Sequence, residues 1–134
     1  MKFTKATNYA LHTMLMLVTD SSVKPKPIGV QQLAEAQQVS PTYLSKILTR
    51  LVKAGMIESV SGANGGYRLS RNKDDITFLD IIHAIEGTNS LFECDFVHGS
   101  ECLIQAVMRE AEEKMESHLK HTKLVDLAQK QAQI

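Results

Sequence analysis

The stretch from Ser40 to Arg71 constrains the fold more than any other part of the chain. Ser40 is a good N-cap residue, and Pro41 suits the first helical position because its missing N–H is not needed there. Apolar residues then recur at helical spacing, at Leu44, Ile47, Leu48, Leu51 and Val52. Gly55 stands where a helix end favours a left-handed residue. These signals predict an amphipathic helix that ends at Gly55.

Two short strands are predicted directly after this helix. Apolar and polar residues alternate in 56–61 and 67–70, and the segment GANGG turns the chain between them. A second short helix is predicted upstream at 30–38, separated from the first by a tight turn at 39–40. Two helices joined by a tight turn and followed by a hairpin are the layout of a winged helix-turn-helix, whose second helix enters the major groove of DNA.

The rest of the chain is predicted to be mainly α-helical, so the fold class is mainly α with a small β-hairpin wing. Helical periodicity covers 4–19 and 102–120, and Thr77 with Asp80 resembles a capping box that opens a helix reaching Glu86. Thr122 is predicted to cap a last helix, and Ile28 to add one short strand. Segment 87–101 lacks periodicity and is predicted to be a loop.

Length and composition exclude several classes of protein. With 134 residues the chain is expected to form one domain, and two cysteines do not make a disulfide scaffold. The apolar run Leu11–Val18 is interrupted by polar residues and lacks a cleavage site, and no segment has the length of a membrane span. We therefore expect a cytoplasmic protein that does not bind membranes.

The net charge of zero hides an uneven distribution. Residues 1–73 carry ten Lys/Arg and three acids, whereas residues 74–134 carry five Lys/Arg and twelve acids. A basic half suggests a surface that faces nucleic acid. The alternative is that the charges scatter over the surface once the chain folds.

The start of the 40–55 helix carries side chains suited to reading DNA. Hydroxyls and cations can bond phosphates or base edges, and we predict contacts from Thr42, Tyr43, Ser45, Lys46 and Arg50. At the hairpin tip, predicted contacts come from Asn64, Gly65, Gly66 and Arg68, where the glycines permit close backbone approach. Lys2, Lys5, Lys24 and Lys26 are predicted to add phosphate contacts. The alternatives are a merely solvated polar face or a winged-helix adaptor that binds another protein.

Specific motifs resemble the Rrf family of winged helix-turn-helix transcriptional regulators. They are VSPTYLSKILTRLVKAGMIESVSGANGGYRLSR and DDITFLDIIHAIEG, together with the opening MKFT and Tyr9-Ala10-Leu11. The resemblance covers nearly the whole chain. It implies that DNA contacts come from Ser40, Thr42, Tyr43, Ser45 and Lys46, which fall where family members touch DNA. It implies a homodimer joined through the helix at 102–120, with two winged helices on a palindromic operator in double-stranded DNA. The chain then divides into a DNA-binding domain at 1–86, a sensor loop at 87–101, and a dimerisation helix with a C-terminal helix at 102–134.

The same resemblance suggests a sensor site. In cluster-binding members, cysteines in the loop before the dimer helix hold an iron–sulfur cluster, and Cys94 and Cys102 match two of them. Some relatives add ligands from the first helix, at positions that here are Asn8 and His12. Two thiolates cannot complete a [2Fe–2S] site alone, so the metal ligands predicted are Cys94, Cys102, His12 and one unidentified group.

Two other interpretations of the cysteines remain open. Cys94 and Cys102 could pair or become oxidised as a thiol switch, or could have no sensing role. In every case the sequence predicts a sequence-specific DNA-binding regulator rather than an enzyme, and the resemblance implies a repressor acting as a homodimer. The chain lacks a phosphate-binding glycine loop and a nucleophile elbow. The competing hypotheses are a winged-helix protein-interaction adaptor and a cluster-carrying redox protein without operator binding.

Overall fold

A computed structural model describes residues 3–19, 26–92 and 102–132. In chain order the helices and strands are α1 (Lys5–Thr19), α2 (Val30–Gln37), α3 (Pro41–Lys53), β1 (Ile57–Val60), β2 (Gly66–Leu69), α4 (Phe78–Glu86), α5 (Leu103–Lys120) and α6 (Leu124–Ala132). A short 3₁₀ turn, Lys73–Asp75, lies between β2 and α4. The predicted fold class, mainly α with a two-stranded hairpin, is confirmed.

The core forms where α1, α3, α4 and α6 meet. Among the most deeply buried side chains are Met14, Leu33, Leu44, Leu48, Leu51, Ile76, Ile81 and Leu124. Four of the five residues of the predicted α3 stripe are buried, and Val52 is half-buried. Each fully buried aliphatic side chain stabilises the fold by about 1.5–3 kcal/mol. This packing fixes which face of α3 points outward.

Both ends of α3 form as predicted. The Ser40 hydroxyl oxygen accepts a hydrogen bond from the Tyr43 backbone N–H at 3.0 Å, with Pro41 at the first helical position. At the other end Gly55 adopts a φ of +76°, and the Met56 N–H donates to the Leu51 carbonyl at 3.1 Å. The helix therefore has a defined start, which is the part that a helix-turn-helix presents to DNA.

The wing is an antiparallel pair of strands in which Ile57 lies opposite Leu69 and Val60 opposite Gly66. The predicted extra strand at Ile28 is present as one bridging residue, since Ile28 and Tyr67 exchange backbone hydrogen bonds at 2.9 and 2.8 Å. Gly66 has a φ of +148°, and a Cβ there would collide with the Ile28 carbonyl. Glycine is therefore required where the wing meets the segment before α2.

The start of α6 differs from the predicted cap. The Thr122 hydroxyl donates to the His118 carbonyl at 2.7 Å, and α6 begins two residues later. Backbone bonds set this start instead, from the Phe78 N–H to the Thr122 carbonyl at 3.0 Å and from the Leu124 N–H to the Ile76 carbonyl at 3.1 Å. A contact between distant segments has overridden the local signal.

The long helix α5 packs against α4 but contains no buried residue. Helix α6 returns to the core, where Leu124 and Ala128 are buried and α6 packs against α1. None of the helices in the described ranges has the length and apolarity needed to cross a membrane.

Candidate nucleic-acid interface

The first turns of α3 present a polar face opposite the buried stripe. Thr42, Tyr43 and Lys46 are exposed, and Ser45 is partly exposed. The Ser40 oxygen is occupied as a cap, which leaves its hydroxyl proton as a hydrogen-bond donor. The structure therefore brings five of the predicted DNA-contacting residues to one end of one helix.

Tyr43 is held in place by α1. Its ring meets the ring of Tyr9 edge to face, with centroids 5.8 Å apart and planes at 87°. This geometry is a favourable one for an aromatic pair. The side chain of Tyr43 remains 40% exposed. Sequence reasoning missed this contact because residues 9 and 43 belong to separate helices.

Arg50 lies at the far end of α3, away from the helix start. Its Nη1 donates to the Ile85 carbonyl, near the end of α4, at 3.4 Å. Arg71 is similarly engaged, since its Nη2 donates to the Ala54 carbonyl at 3.1 Å. Lys46 and Lys53 remain as exposed cations along α3.

Asn64 is exposed at the tip of the wing, whereas Arg68 lies on β2 and is paired with Glu58 of β1. The Arg68 Nε lies 2.6 Å from the Glu58 Oε1, and both side chains are about half exposed. Glu58 therefore neutralises part of the positive charge of the wing. The strand register places the two residues directly opposite each other, where opposite charges attract.

The two glycines at the tip have structural reasons to be glycine. The Gly65 N–H donates to the Gly62 carbonyl at 3.0 Å, and a Cβ on Gly65 would collide with the Val60 carbonyl. Gly66 is constrained by Ile28 as described above. Packing within the protein therefore explains both glycines, and their predicted contact with DNA stays a prediction.

A groove of about 480 Å³ separates the wing tip from the start of α2. Its lining residues are Lys26, Pro27, Gly29, Gln32, Asn64 and Gly65. Lys26 is exposed, so one predicted phosphate contact lies beside the wing tip, and Lys5 lies at the start of α1. Lys2 and Lys24 lie outside the described residues.

The described sensor residues are His12 and Cys102. His12 is exposed, and its Nδ1 lies 2.8 Å from the Asn8 carbonyl. A ring that donates from Nδ1 leaves Nε2 as the unprotonated nitrogen, which is the form that binds metal. Cys102 is partly exposed and is the N-cap residue of α5.

A thiol and an imidazole are suitable ligands for an iron–sulfur cluster. Cys94 lies outside the described residues. Within the described parts of the chain, no group of three or more His, Cys, Asp or Glu side chains could hold a metal ion. The donor chemistry of His12 and Cys102 therefore fits the group, and the described residues supply only part of its ligand set.

The apolar face of α5 is strongly exposed. Leu103 is 83% exposed, and Ile104 and Val107 are each 66% exposed. Monomeric proteins rarely expose contiguous apolar patches of this kind, which mark interaction sites. Further along the predicted stripe, Met115 and Leu119 are partly buried.

Comparison with known proteins decides what kind of protein carries these surfaces. The family model described as "Rrf2: Iron-dependent Transcriptional regulator" matches residues 3–130. The chain belongs to the Rrf2 family. It is a DNA-binding transcriptional regulator and not an enzyme, and this confirms the resemblance and favours DNA binding over the adaptor hypothesis.

Among the relatives of this Rrf2-family regulator is the transcriptional regulator NsrR of Geobacillus kaustophilus, which is 36% identical over 110 residues, or 81% of this chain and 73% of the relative. The structure of CymR, the global cysteine regulator of B. subtilis, superposes with a TM-score of 0.82 at 29% identity, covering 96% of this chain and 97% of CymR. T. potens IscR superposes with a TM-score of 0.79 at 29% identity, covering 100% of this chain and 92% of IscR.

Proposed function

We propose that the protein is a homodimeric repressor that binds a palindromic operator. The observation that carries this proposal is the exposed apolar face of α5, beginning at Leu103 and Ile104. Two copies of this face can cover each other about a two-fold axis, since such an interface uses the same patch on both subunits. A symmetric dimer presents two α3 helices, and such a reader requires a DNA site with matching symmetry.

In each half-site we propose that α3 enters the major groove by its first turns. Thr42, Ser45 and Lys46 then face base edges and phosphates, with Tyr43 supported by Tyr9. Ser40 caps α3 through its side-chain oxygen and also donates its hydroxyl proton to the DNA. Asn64 at the wing tip and Lys26 beside it reach the flanking backbone.

For the signal we propose a [2Fe–2S] cluster held by Cys94, Cys102 and His12 with one further ligand. When bound, such a cluster supplies an iron centre whose loss or oxidation reports on iron and redox status. The supporting observation is that His12 is exposed on α1 and that its Nδ1 lies 2.8 Å from the Asn8 carbonyl. The second candidate is a thiol switch between the two cysteines, which requires no further ligand. Both signals belong to the reducing cytoplasm that we propose for this regulator.

Operator selection tests the DNA-binding proposal. The full chain would be used to select duplexes from a random pool, and we expect enriched sequences with two inverted half-sites one helical turn apart or a multiple of it. Light scattering should give the mass of two chains, and operator affinity should fall steeply as salt rises. Enrichment of single half-sites by a monomer would contradict the proposal.

The absorption spectrum of protein purified without oxygen tests the sensor. A cluster predicts visible absorption and iron bound to the protein, both reduced by Cys102→Ser and by His12→Ala. A control variant, His121→Ala, removes a histidine whose Nδ1 also lies near a backbone carbonyl, that of Ser117, and should leave the spectrum unchanged. Colourless, iron-free protein whose operator affinity responds to thiol oxidants would favour the thiol switch instead.

A further inference from the structure

The last turn of α4 joins three parts of the DNA-binding unit. The Glu86 Oε2 accepts hydrogen bonds from the Thr4 backbone N–H at 2.8 Å and from the Thr7 hydroxyl at 3.0 Å. Thr7 is only 2% exposed, so its buried hydroxyl finds its partner in the partly buried Glu86. A carboxylate at the start of α1 also complements the partial positive charge of the helix N-terminus. Glu86 thereby ties α4 to α1.

The neighbouring residue ties α4 to α3. Carbonyls in the last turn of a helix have no partner within the helix, and the Ile85 carbonyl accepts from Arg50 instead. At its other end α3 meets α1 through the Tyr43–Tyr9 contact. The three helices are therefore connected pairwise by specific contacts.

We propose that Glu86 and Arg50 are positioning residues for DNA reading. Through these contacts they set the angle of α3, and Arg50 does so instead of contacting a phosphate. The inference deepens the proposed function and rests on it. Glu86 directly precedes Gly87, where the chain leaves α4 with a φ of +82° and enters the segment that contains Cys94. The contacts of Glu86 therefore lie next to the start of that segment in the sequence.

The test compares specific and non-specific affinity over a range of salt concentrations. The probes are a duplex selected by the wild-type chain and an unrelated duplex of equal length. We expect Glu86→Ala to lower affinity for the selected duplex about 10-fold, the equivalent of about one base contact. Its affinity for the unrelated duplex should not fall, because removing a negative charge does not weaken phosphate binding. Glu86→Gln keeps an acceptor oxygen and should restore most of the specific affinity.

Arg50→Gln is compared with Lys53→Gln, which removes a charge from the same end of α3. A phosphate contact would reduce the salt slope by about 0.9 and weaken binding to both duplexes alike. If Arg50 is a positioning residue, Arg50→Gln should instead lose specificity for the selected duplex. The salt dependence of its binding should be the same as that of Lys53→Gln. A positioning role also predicts that the Glu86→Ala/Arg50→Gln double variant is little worse than either single variant.

Thr7→Val keeps the side-chain volume and removes only the hydroxyl, so it serves if Glu86→Ala does not fold. Folded Glu86→Ala or Thr7→Val protein with wild-type discrimination would overturn the inference. A salt slope that is lower in Arg50→Gln than in Lys53→Gln would also overturn the inference. Failure of the wild-type chain to enrich any sequence would count against the proposed function instead, so the two failures are distinguishable.

Discussion

Helices α3 and α5 have similar sequence patterns but different surroundings. Both carry apolar residues at helical spacing, yet α3 buries four of its 13 residues while α5 buries none of its 18. The stripe of α3 packs into the core, whereas Leu103, Ile104 and Val107 remain exposed. Helical periodicity shows that a face is apolar, but it does not show whether the same chain or a second copy covers it.

Truncating the two stripes gives the largest expected difference. Leu48 is fully buried, so Leu48→Ala should lower the free energy of unfolding by about 2–5 kcal/mol. Val107→Ala removes an exposed side chain and should change the unfolding of the monomer by less than about 0.5 kcal/mol. Denaturant unfolding at low protein concentration measures both. Equal losses would show that the Val107 face of α5 is covered within its own chain.

Charge on the α5 face is the next test. Ile104→Asp places a carboxylate in the proposed dimer contact, and we expect dimer dissociation to increase at least about 10-fold, since burying an unpaired charge is costly. Helical content should not change. Light scattering across a dilution series gives the dissociation constant. Glu113→Asp, which is also exposed on α5, is the control. An Ile104→Asp dimer as tight as the wild-type dimer would rule out this face as the dimer contact.

The helix start of α3 provides a smaller effect. Ser40→Ala removes the cap that bonds the Tyr43 N–H and should cost about 1 kcal/mol of stability. It should also lower operator affinity, because the reading end of α3 frays. Ser117→Ala on exposed α5 should be within about 0.5 kcal/mol of wild type. The thermal midpoint and operator titration, measured on both variants, check the comparison.

Surface ion pairs should give the smallest effects. Lys114 and Glu110 of α5 lie 3.5 Å apart with side chains 78% and 69% exposed, so Glu110→Gln should cost about 0.3–0.5 kcal/mol or less. Glu58→Gln breaks the pair with Arg68 at a similarly small cost in stability, but it releases a positive charge on the wing. Operator affinity should therefore rise in Glu58→Gln but not in Glu110→Gln. An unchanged affinity would mean that Arg68 lies away from the DNA.

Local signals predicted most of the fold. The cap at Ser40 and the glycine at Gly55 bound α3 as expected, and Thr77 with Asp80 forms the predicted capping box, with bonds of 3.1 and 3.2 Å. Each of these features depends on residues a few positions apart. The hairpin and the single strand residue at Ile28 were likewise visible in the sequence.

Contacts between distant residues could not be read from the same patterns. The bond from Arg50 to Ile85, the ring contact of Tyr9 with Tyr43 and the start of α6 all depend on how helices pack. For the same reason Arg50 and Arg68 looked available for DNA in the sequence, whereas each has a partner inside the protein. The predicted roles of the exposed residues at the start of α3 stay a prediction.

Helix α4 is fixed at both of its ends. Its first residue is bonded to the chain just after α5, through Phe78 and Thr122, and its last turn holds α1 and α3. In the proposed dimer, a rotation of one subunit against the other would therefore move α4 as a rigid body and displace the attached α3 with it. The spacing between the two DNA half-sites would then be set by how the two subunits pack against each other. It would not require a change in the segment that contains Cys94.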